Sequence, residues 1–187
     1  GYKNTACGAD ALFSNLGIFN TAIGASALRS NTSGYYNTAS GDRALYSNTN
    51  GHRNTATGSR ALFHNIGGRF NTANGRTALF NNIGGDDNTA CGALALAGNT
   101  FGSGNTACGY YALATGMTGN LNTASGTLAL WRNNGTNNTA CGYGTLSPNT
   151  TGNRNIALGN RAGQNLTTGS DNIAIGNYGV AAESATI

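Results

Sequence analysis

One short phrase, Asn-Thr-Ala-x-Gly-x-x-Ala-Leu-x-x-Asn followed by a second Gly, recurs along the whole 187-residue chain. A tandem repeat of this regularity leaves no residues for a separate domain and predicts a stacked solenoid. It also favours fibres, adhesins and other display surfaces over enzymes. The leading residues of the eleven copies, 16 or 17 positions apart, are Asn4, Asn20, Asn37, Asn54, Asn71, Asn88, Asn105, Asn122, Asn138, Asn155 and Asn172.

The composition excludes several other classes of protein. Charged residues make up only 9% of the chain, whereas disordered chains are charge-rich. The 30 glycines do not recur every third residue and there is one proline, so the chain is not collagen. A net charge of +4 without a concentrated basic patch argues against nucleic-acid binding. No apolar run approaches the ~20 residues of a membrane-spanning helix.

Each repeat is the right length for one coil of a β-solenoid with two short strands and two turns. In the first strand, Asn-Thr-Ala-x-Gly, alternation directs Ala inward and its two neighbours outward, and the Gly adopts a turn with positive φ. In the second strand, as at Ala27-Leu28, we expect Leu to point inward and the preceding Ala and the following residue to point outward. Repeated Asn side chains would form hydrogen-bonded ladders. With rungs ~4.8 Å apart, eleven coils give a rod on the order of 50 Å.

We therefore predict an all-β fold, a parallel β-solenoid (β-roll) of eleven coils, as a single domain over residues 1–187. The chain begins in mid-pattern, and we expect it to be a segment of a longer protein.

A thin coil with open ends buries little apolar surface, which predicts association with other chains. The outward face of the first strand carries no charged residue in any copy. We expect this face to pack around the axis of a symmetric homo-oligomer. The candidate contact residues are Thr89, Cys91, Thr106, Cys108, Ile156, Leu158, Ile173 and Ile175.

The last two copies, 155–159 (Asn-Ile-Ala-Leu-Gly) and 172–176 (Asn-Ile-Ala-Ile-Gly), resemble the Asn-Ser-Val-Ala-Ile-Gly phrase of trimeric autotransporter adhesin heads of the YadA type. The Asn-Thr-Ala-x-Gly form is similar to repeats of bacterial surface proteins and phage-type tail fibres. The resemblance covers the whole chain. It implies a left-handed β-roll assembled as a homotrimer, at a cell surface or in a virion fibre. In such proteins an ending like residues 172–187 precedes a stalk and an endosialidase-type intramolecular chaperone.

Four cysteines share one position of the repeat: Cys7, Cys91, Cys108 and Cys141. They could be small residues at a contact surface, form disulfides within or between chains, or bind a metal. Cys-x-x-Cys spacing and a partner His are lacking, so we predict no metal site and no cofactor.

The histidines and carboxylates of the chain do not form the pairs that catalysis requires. His52 and His64 lie in or beside turns without a paired nucleophile, and we expect both to be solvated. Glycoside hydrolysis needs two facing carboxylates, whereas Asp86 and Asp87 are sequence neighbours. We therefore predict that the chain is not an enzyme. A recurring Thr raises the alternative of an ice-binding array, but only Thr55 and Thr57 supply a Thr-x-Thr pair.

The strongest candidate for ligand binding is an outward aromatic stripe. Aromatic rings beside arginine can stack on sugars or hold an acidic polymer, although lateral packing within the assembly is the alternative. The candidate residues are Tyr46, Phe63, Phe80 and Trp131, with Arg43 and Arg60 beside them.

Together these observations predict a non-enzymatic surface fibre, an adhesin head or tail-fibre shaft, that displays repeated weak sites. Its partners would be further copies of itself and a host or surface glycan. A self-assembling extracellular filament and a polysaccharide-cleaving tailspike are the alternatives.

Overall fold

The computed structural model describes residues 2–181 and 183–185, so residues 1, 182, 186 and 187 of the predicted domain lie outside it. The described chain forms one parallel sheet whose strand order follows the sequence. This confirms the predicted all-β parallel β-solenoid. The eleven strands are β1 Thr5–Cys7, β2 Thr21–Ile23, β3 Thr38–Ser40, β4 Thr55–Thr57, β5 Thr72–Asn74, β6 Thr89–Cys91, β7 Thr106–Cys108, β8 Thr123–Ser125, β9 Thr139–Cys141, β10 Ile156–Leu158 and β11 Ile173–Ile175.

Neighbouring strands pair in the register that the repeat predicts. Ala73 lies opposite Ala90, and Ala90 lies opposite Ala107. From β2 to β11 these alanines are buried, whereas Ala6 of β1 is exposed. Hence the strand places its one inward side chain against the same side chain of the next coil. Only a small residue fits such a column of closely spaced neighbours.

The second half of each coil differs from the prediction: it is a run of turns, and each coil contains one strand rather than two. The Ala before each Leu was expected to face outward. Instead Ala27 and Leu28 are both fully buried, as are Ala44 and Leu45. Two consecutive inward side chains are incompatible with the alternation of a strand.

A left-handed backbone conformation at leucine makes this turn possible. The φ angle is 50° at Leu28, 52° at Leu45 and 51° at Leu62. This conformation costs about 1–2 kcal/mol for a residue with a Cβ atom. Burying a leucine side chain returns about 1.5–3 kcal/mol, and the Leu28 N–H also donates to the carbonyl of Ala44 at 3.0 Å. Burial and pairing therefore offset the backbone strain.

Two buried columns of asparagine run beside the apolar core, and they confirm the predicted ladders. In one column, the backbone N–H of Asn88 donates to Oδ1 of Asn71 at 3.0 Å, and Nδ2 of Asn71 donates to the Gly85 carbonyl at 2.8 Å. In the other, Nδ2 of Asn82 donates to Oδ1 of Asn65 at 2.8 Å and to the same Gly85 carbonyl at 2.9 Å. The buried interior is thus partly polar, and its amides are hydrogen-bonded both within and between coils.

Replacing Ala90 with Leu is expected to lower the free energy of unfolding by about 1–3 kcal/mol, because the inserted methylenes have no space. Ala90 is fully buried between Ala73 and Ala107. Chemical denaturation measures the loss. The control is Ala6→Leu, at the same repeat position in the exposed first coil. An equal response of the two variants would contradict the burial argument.

Candidate functional site

The residue after each buried Leu forms a column along the rod, here called the outer column. Backbone hydrogen bonds hold its members in register: His64 N donates to the Phe80 carbonyl at 3.0 Å, and Asn81 N donates to the Ala97 carbonyl at 3.1 Å. Side chains on this column are therefore one rung apart. Its members are Phe13, Arg29, Tyr46, Phe63, Phe80, Ala97, Ala114, Trp131 and Ser147.

The structure brings Tyr46, Phe63 and Phe80 together as a continuous stack. The ring centroids of Tyr46 and Phe63 are 5.0 Å apart with planes 2° from parallel, and those of Phe63 and Phe80 are 5.3 Å apart at 17°. All three side chains are half-buried. Since each ring partly covers the next, the stack presents ring edges to solvent. A fully open face is available only at an end of the stack.

The two arginines predicted to lie beside the aromatic stack do not contact its rings. Arg43 and Arg60 are exposed, and among the described residues neither lies over a ring. The cation in contact with the stack is Arg29, a member of the outer column itself, whose guanidinium carbon is 5.9 Å from the centroid of Tyr46. Arg29 also forms an ion pair of 3.6 Å with Asp10.

Trp131 is separated from the stack by the rungs of Ala97 and Ala114. It is half-buried, and the guanidinium carbon of Arg132 lies 4.6 Å from its ring centroid. Its Nε1 is buried without a hydrogen-bond partner. Trp131 is therefore a distinct feature of the surface rather than a fourth member of the stack.

Each coil is numbered by its strand, so that coil 3 contains β3. A groove of about 830 Å³, here called the outer groove, follows the outer column from coil 3 into coil 7. It begins beside Arg60 and His64 and continues past Phe80 over the small residues Ala97 and Ala114. Most of its surface is apolar. The lining residues are Ser47, Arg60, His64, Ile66, Thr77, Phe80, Asn81, Ile83, Leu94, Ala97, Gly98, Thr100, Tyr111, Ala114, Thr115 and Met117.

A second aromatic cluster, which sequence reasoning missed, lies on the corner formed by the two residues before each leading Asn. The rings of Phe19 and Tyr36 stack at 4.8 Å, and those of Tyr35 and His52 stack at 4.5 Å. Arg53 lies 5.3–5.8 Å from three of the ring centroids. His52 is thus half-buried rather than solvated. We call this the corner cluster: Phe19, Tyr35, Tyr36, His52, Arg53 and Phe70.

The outward face of the sheet, here called the strand face, is open to solvent in the single chain. Its two columns contain Thr, Ile, Cys, Ser, Asn and Leu, and no charged residue. Ile156 is 48% exposed, Leu158 50% and Ile175 66%. Thr89, Cys91, Thr106 and Cys108 are also exposed, and Ile173 is half-buried. The predicted contact residues therefore all lie on one continuous, uncharged face.

All four cysteines are exposed free thiols, and Cys91 lies opposite Cys108 in the register of β6 and β7. Partial desolvation raises the pKa of the Cys108 thiol, and the neighbouring Cys91 raises it further by its charge and by a hydrogen bond. The pair therefore favours the protonated, less nucleophilic form of Cys108.

Within residues 2–181 and 183–185, no group of three or more His, Cys, Asp or Glu side chains is arranged to hold a metal ion. Three of the carboxylates, those of Asp10, Asp86 and Asp171, lie in ion pairs with arginines one coil away. His64 contacts Phe63 and Phe80 edge-on, at 4.7 and 5.0 Å between centroids. These side chains serve packing and pairing between coils.

Comparison with protein-family models, curated proteins and solved structures finds no match to this chain. Nor does the described part of the chain contain a helix that could cross a bilayer. The class that the structure defines is thus a tandem-repeat parallel β-solenoid.

Proposed function

We propose that this chain is a segment of an extracellular fibre, an adhesin head or a tail-fibre shaft, which assembles as a homotrimer through the strand face. The observation that carries the proposal is the strand face itself: two columns without a charged residue, over eleven strands, open to solvent in the single chain. Extended apolar and weakly polar surfaces on soluble proteins are typical of association sites.

The composition of the face fits packing against copies of the same face. Short uncharged side chains such as Thr106 and Cys108 allow close approach without desolvating a charge, which would be expensive. The exposed Ile and Leu of β10 and β11 add apolar area, worth about 25 cal/mol per Å² removed from water. The trimer and a left-handed coil follow from the resemblance to adhesin heads rather than from the contacts of one chain.

The substitution Thr106→Glu tests the assembly. In the assembled fibre it would bury three carboxylates near the axis, so we expect the trimer to dissociate while each chain stays folded. The Thr106 side chain is exposed in the single chain, which therefore tolerates the change. Analytical ultracentrifugation should show the parent at three times the chain's 18.9 kDa and the variant at one.

The control is Thr151→Glu, which adds the same charge at an exposed position away from the strand face. It should leave the mass of the assembly unchanged. A parent chain that is monomeric at micromolar concentration would contradict the proposal. A parent mass that increases with concentration without limit would favour the alternative, a self-assembling filament joined through the open ends of the solenoid.

The proposed activity of the fibre is adhesion by multivalent display. Weak sites repeated on three chains gain affinity because the first contact raises the local concentration of the others. The Tyr46–Phe63–Phe80 stack, with Arg29 at its Tyr46 end and Trp131 further along the same column, is the proposed glycan-binding surface. The tailspike alternative would require a pair of facing carboxylates, and the ion pairs described above leave no such pair among Asp10, Asp86 and Asp171.

Replacing Tyr46, Phe63 and Phe80 with Ser should weaken adhesion at least about tenfold, because the loss is repeated on every chain. The buried Ala, Leu and Asn columns are untouched, so the variant should still fold. A glycan array with the assembled fibre measures the effect. The matched control removes three rings from the corner cluster, at Phe19, Tyr36 and Phe70. Equal binding by the stack variant and the parent would exclude this surface as the adhesive site.

A further inference from the structure

The aromatic stack of the outer column ends abruptly at Phe80. On the next two rungs the column carries Ala97 and Ala114. Gly98 N donates to the Ala114 carbonyl at 2.7 Å, so both alanines are in register with Phe80. Phe63 covers one face of the Phe80 ring. The other face is directed along the rod toward two rungs that lack a ring.

These two rungs form the far end of the outer groove. Leu94 and Tyr111 come before the outer column in their coils, Ile83 and Met117 come after it in theirs, and all four line the groove. Ala97 and Ala114 form the floor. The whole groove, of which this section is the far end, has a volume of about 830 Å³, within the range of small-molecule sites.

The charge and polarity of the residues at the far end of the outer groove favour one class of ligand. None of the residues that coils 6 and 7 contribute to the lining is charged, and Arg60 and His64 lie at the opposite end. An ionised ligand would therefore lose its hydration without gaining a partner. The hydroxyl groups of Thr100 and Thr115 already donate to the Met117 and Trp131 carbonyls. A sugar would bring most of its hydroxyl groups against Leu94, Ile83 and Met117, where they would be left unpaired. An uncharged aromatic ring loses only apolar surface and gains a stacking partner.

We propose that the far end of the outer groove binds an uncharged ligand with one or two fused aromatic rings. The ligand would stack on the open face of Phe80 and continue the aromatic stack over Ala97 and Ala114. The site shares Phe80 with the proposed adhesive surface but takes a different class of ligand, and it therefore goes beyond the proposed function. The binding itself is a property of the single chain and does not require assembly.

The sharpest test fills the missing rung. In Ala97→Phe the new ring would occupy the ligand's place against Phe80, so binding of 2-naphthol, which is uncharged at neutral pH, should weaken at least about tenfold. Fluorescence titration measures the affinity. Ala97 is half-buried at the groove surface, and the melting temperature should not fall. Ser147→Phe, which also introduces a Phe on the outer column but in coil 9, should leave naphthol binding unchanged.

A second variant keeps the test decisive if Ala97→Phe does not fold. Phe80→Leu retains an apolar side chain but removes the ring face, and should weaken naphthol binding about three- to tenfold. The control is Phe13→Leu, on the same column in coil 1. Naphthalene-2-sulfonate and cellobiose, an anionic ring and a neutral sugar, should bind the parent more weakly than 2-naphthol.

Unchanged naphthol binding in either groove variant would overturn the proposal, and so would cellobiose binding as tightly as naphthol. If naphthol instead competes with self-association of the chain, the groove is an interface between copies and the assignment is wrong. The two proposals fail separately. If ultracentrifugation shows that the parent is not a trimer, the ligand-binding proposal is unaffected. If naphthol does not bind, the assembly proposal is unaffected.

Discussion

Replacing Gly75 with Ala is expected to lower the free energy of unfolding by about 3–5 kcal/mol, from backbone strain and a clash together. Gly75 has a φ of +144°, a conformation reserved for glycine. A Cβ atom there would lie 2.5 Å from the Gly92 oxygen and 2.6 Å from its carbonyl carbon. The backbone of Gly92 is in turn packed closely against that of Gly109, so Gly92 has little room to shift. Urea denaturation should show the loss directly.

The last copy of the repeat supplies the matched control. Gly176 occupies the same position as Gly75, but its φ is +66° and no atom lies within 4 Å of the place for a Cβ. Gly176→Ala should therefore cost only about 1 kcal/mol, the ordinary strain of a left-handed residue. Equal losses at the two positions would show that contact with the next coil is not the cause.

Replacing Asn82 with Ala is the second large effect, with an expected loss of about 3–5 kcal/mol. Nδ2 of Asn82 donates to Oδ1 of Asn65 and to the Gly85 carbonyl, and its own Oδ1 accepts from Asn99 at 2.8 Å. The site is fully buried, so water cannot replace these partners. The substitution would leave polar groups unpaired on both neighbouring coils. Thermal and urea unfolding monitored by circular dichroism measure the change.

Asn165, which lies one position before the place of the ladder residue in its own copy and near the end of the rod, is the control for Asn82. It is exposed, and its Nδ2 donates only to the Gly179 carbonyl, at 3.1 Å. Asn165→Ala should change the free energy of unfolding by no more than about 1 kcal/mol. A similar loss in both variants would indicate that the ladder contributes little beyond the intrinsic preference of Asn for these turns.

Coil 7 lacks this rung, which shows how the ladder tolerates an interruption. Gly116 stands where the neighbouring coils carry Asn99 and Asn133, and a Cβ there would clash with the Asn133 carbonyl. Beyond the gap Asn133 begins a new ladder. Its Oδ1 accepts from the Gly135 backbone and from Asn149. The interruption falls in the same coil as Ala114, at the ring-free section of the outer groove.

The candidate site was predictable in part. A fixed period places Tyr46, Phe63 and Phe80 on consecutive rungs, and the structure stacks them. The sequence could not show that each ring covers the next, because ring orientation depends on rotamers and rung spacing. It also did not reveal the corner cluster. Tyr35-Tyr36 and His52-Arg53 were visible as pairs one repeat apart, yet the corner varies in residue type from copy to copy and gave no column to follow.

For the fold, the repeat alone determined the parallel register, the buried Ala of the strand, the glycine turn and the asparagine ladders. Each of these requires one residue type at one position, so the sequence displays the constraint directly. Only the tertiary structure decided the path around Ala-Leu. Alternation predicted a second strand with one side chain inward, whereas the left-handed φ at leucine turns both Ala27 and Leu28 into the core. The chain takes this path only if the free energy gained by burying leucine against the adjacent coils exceeds the strain energy of its left-handed backbone. The adjacent coils are present only in the folded stack, so the sequence of one repeat does not reveal the outcome.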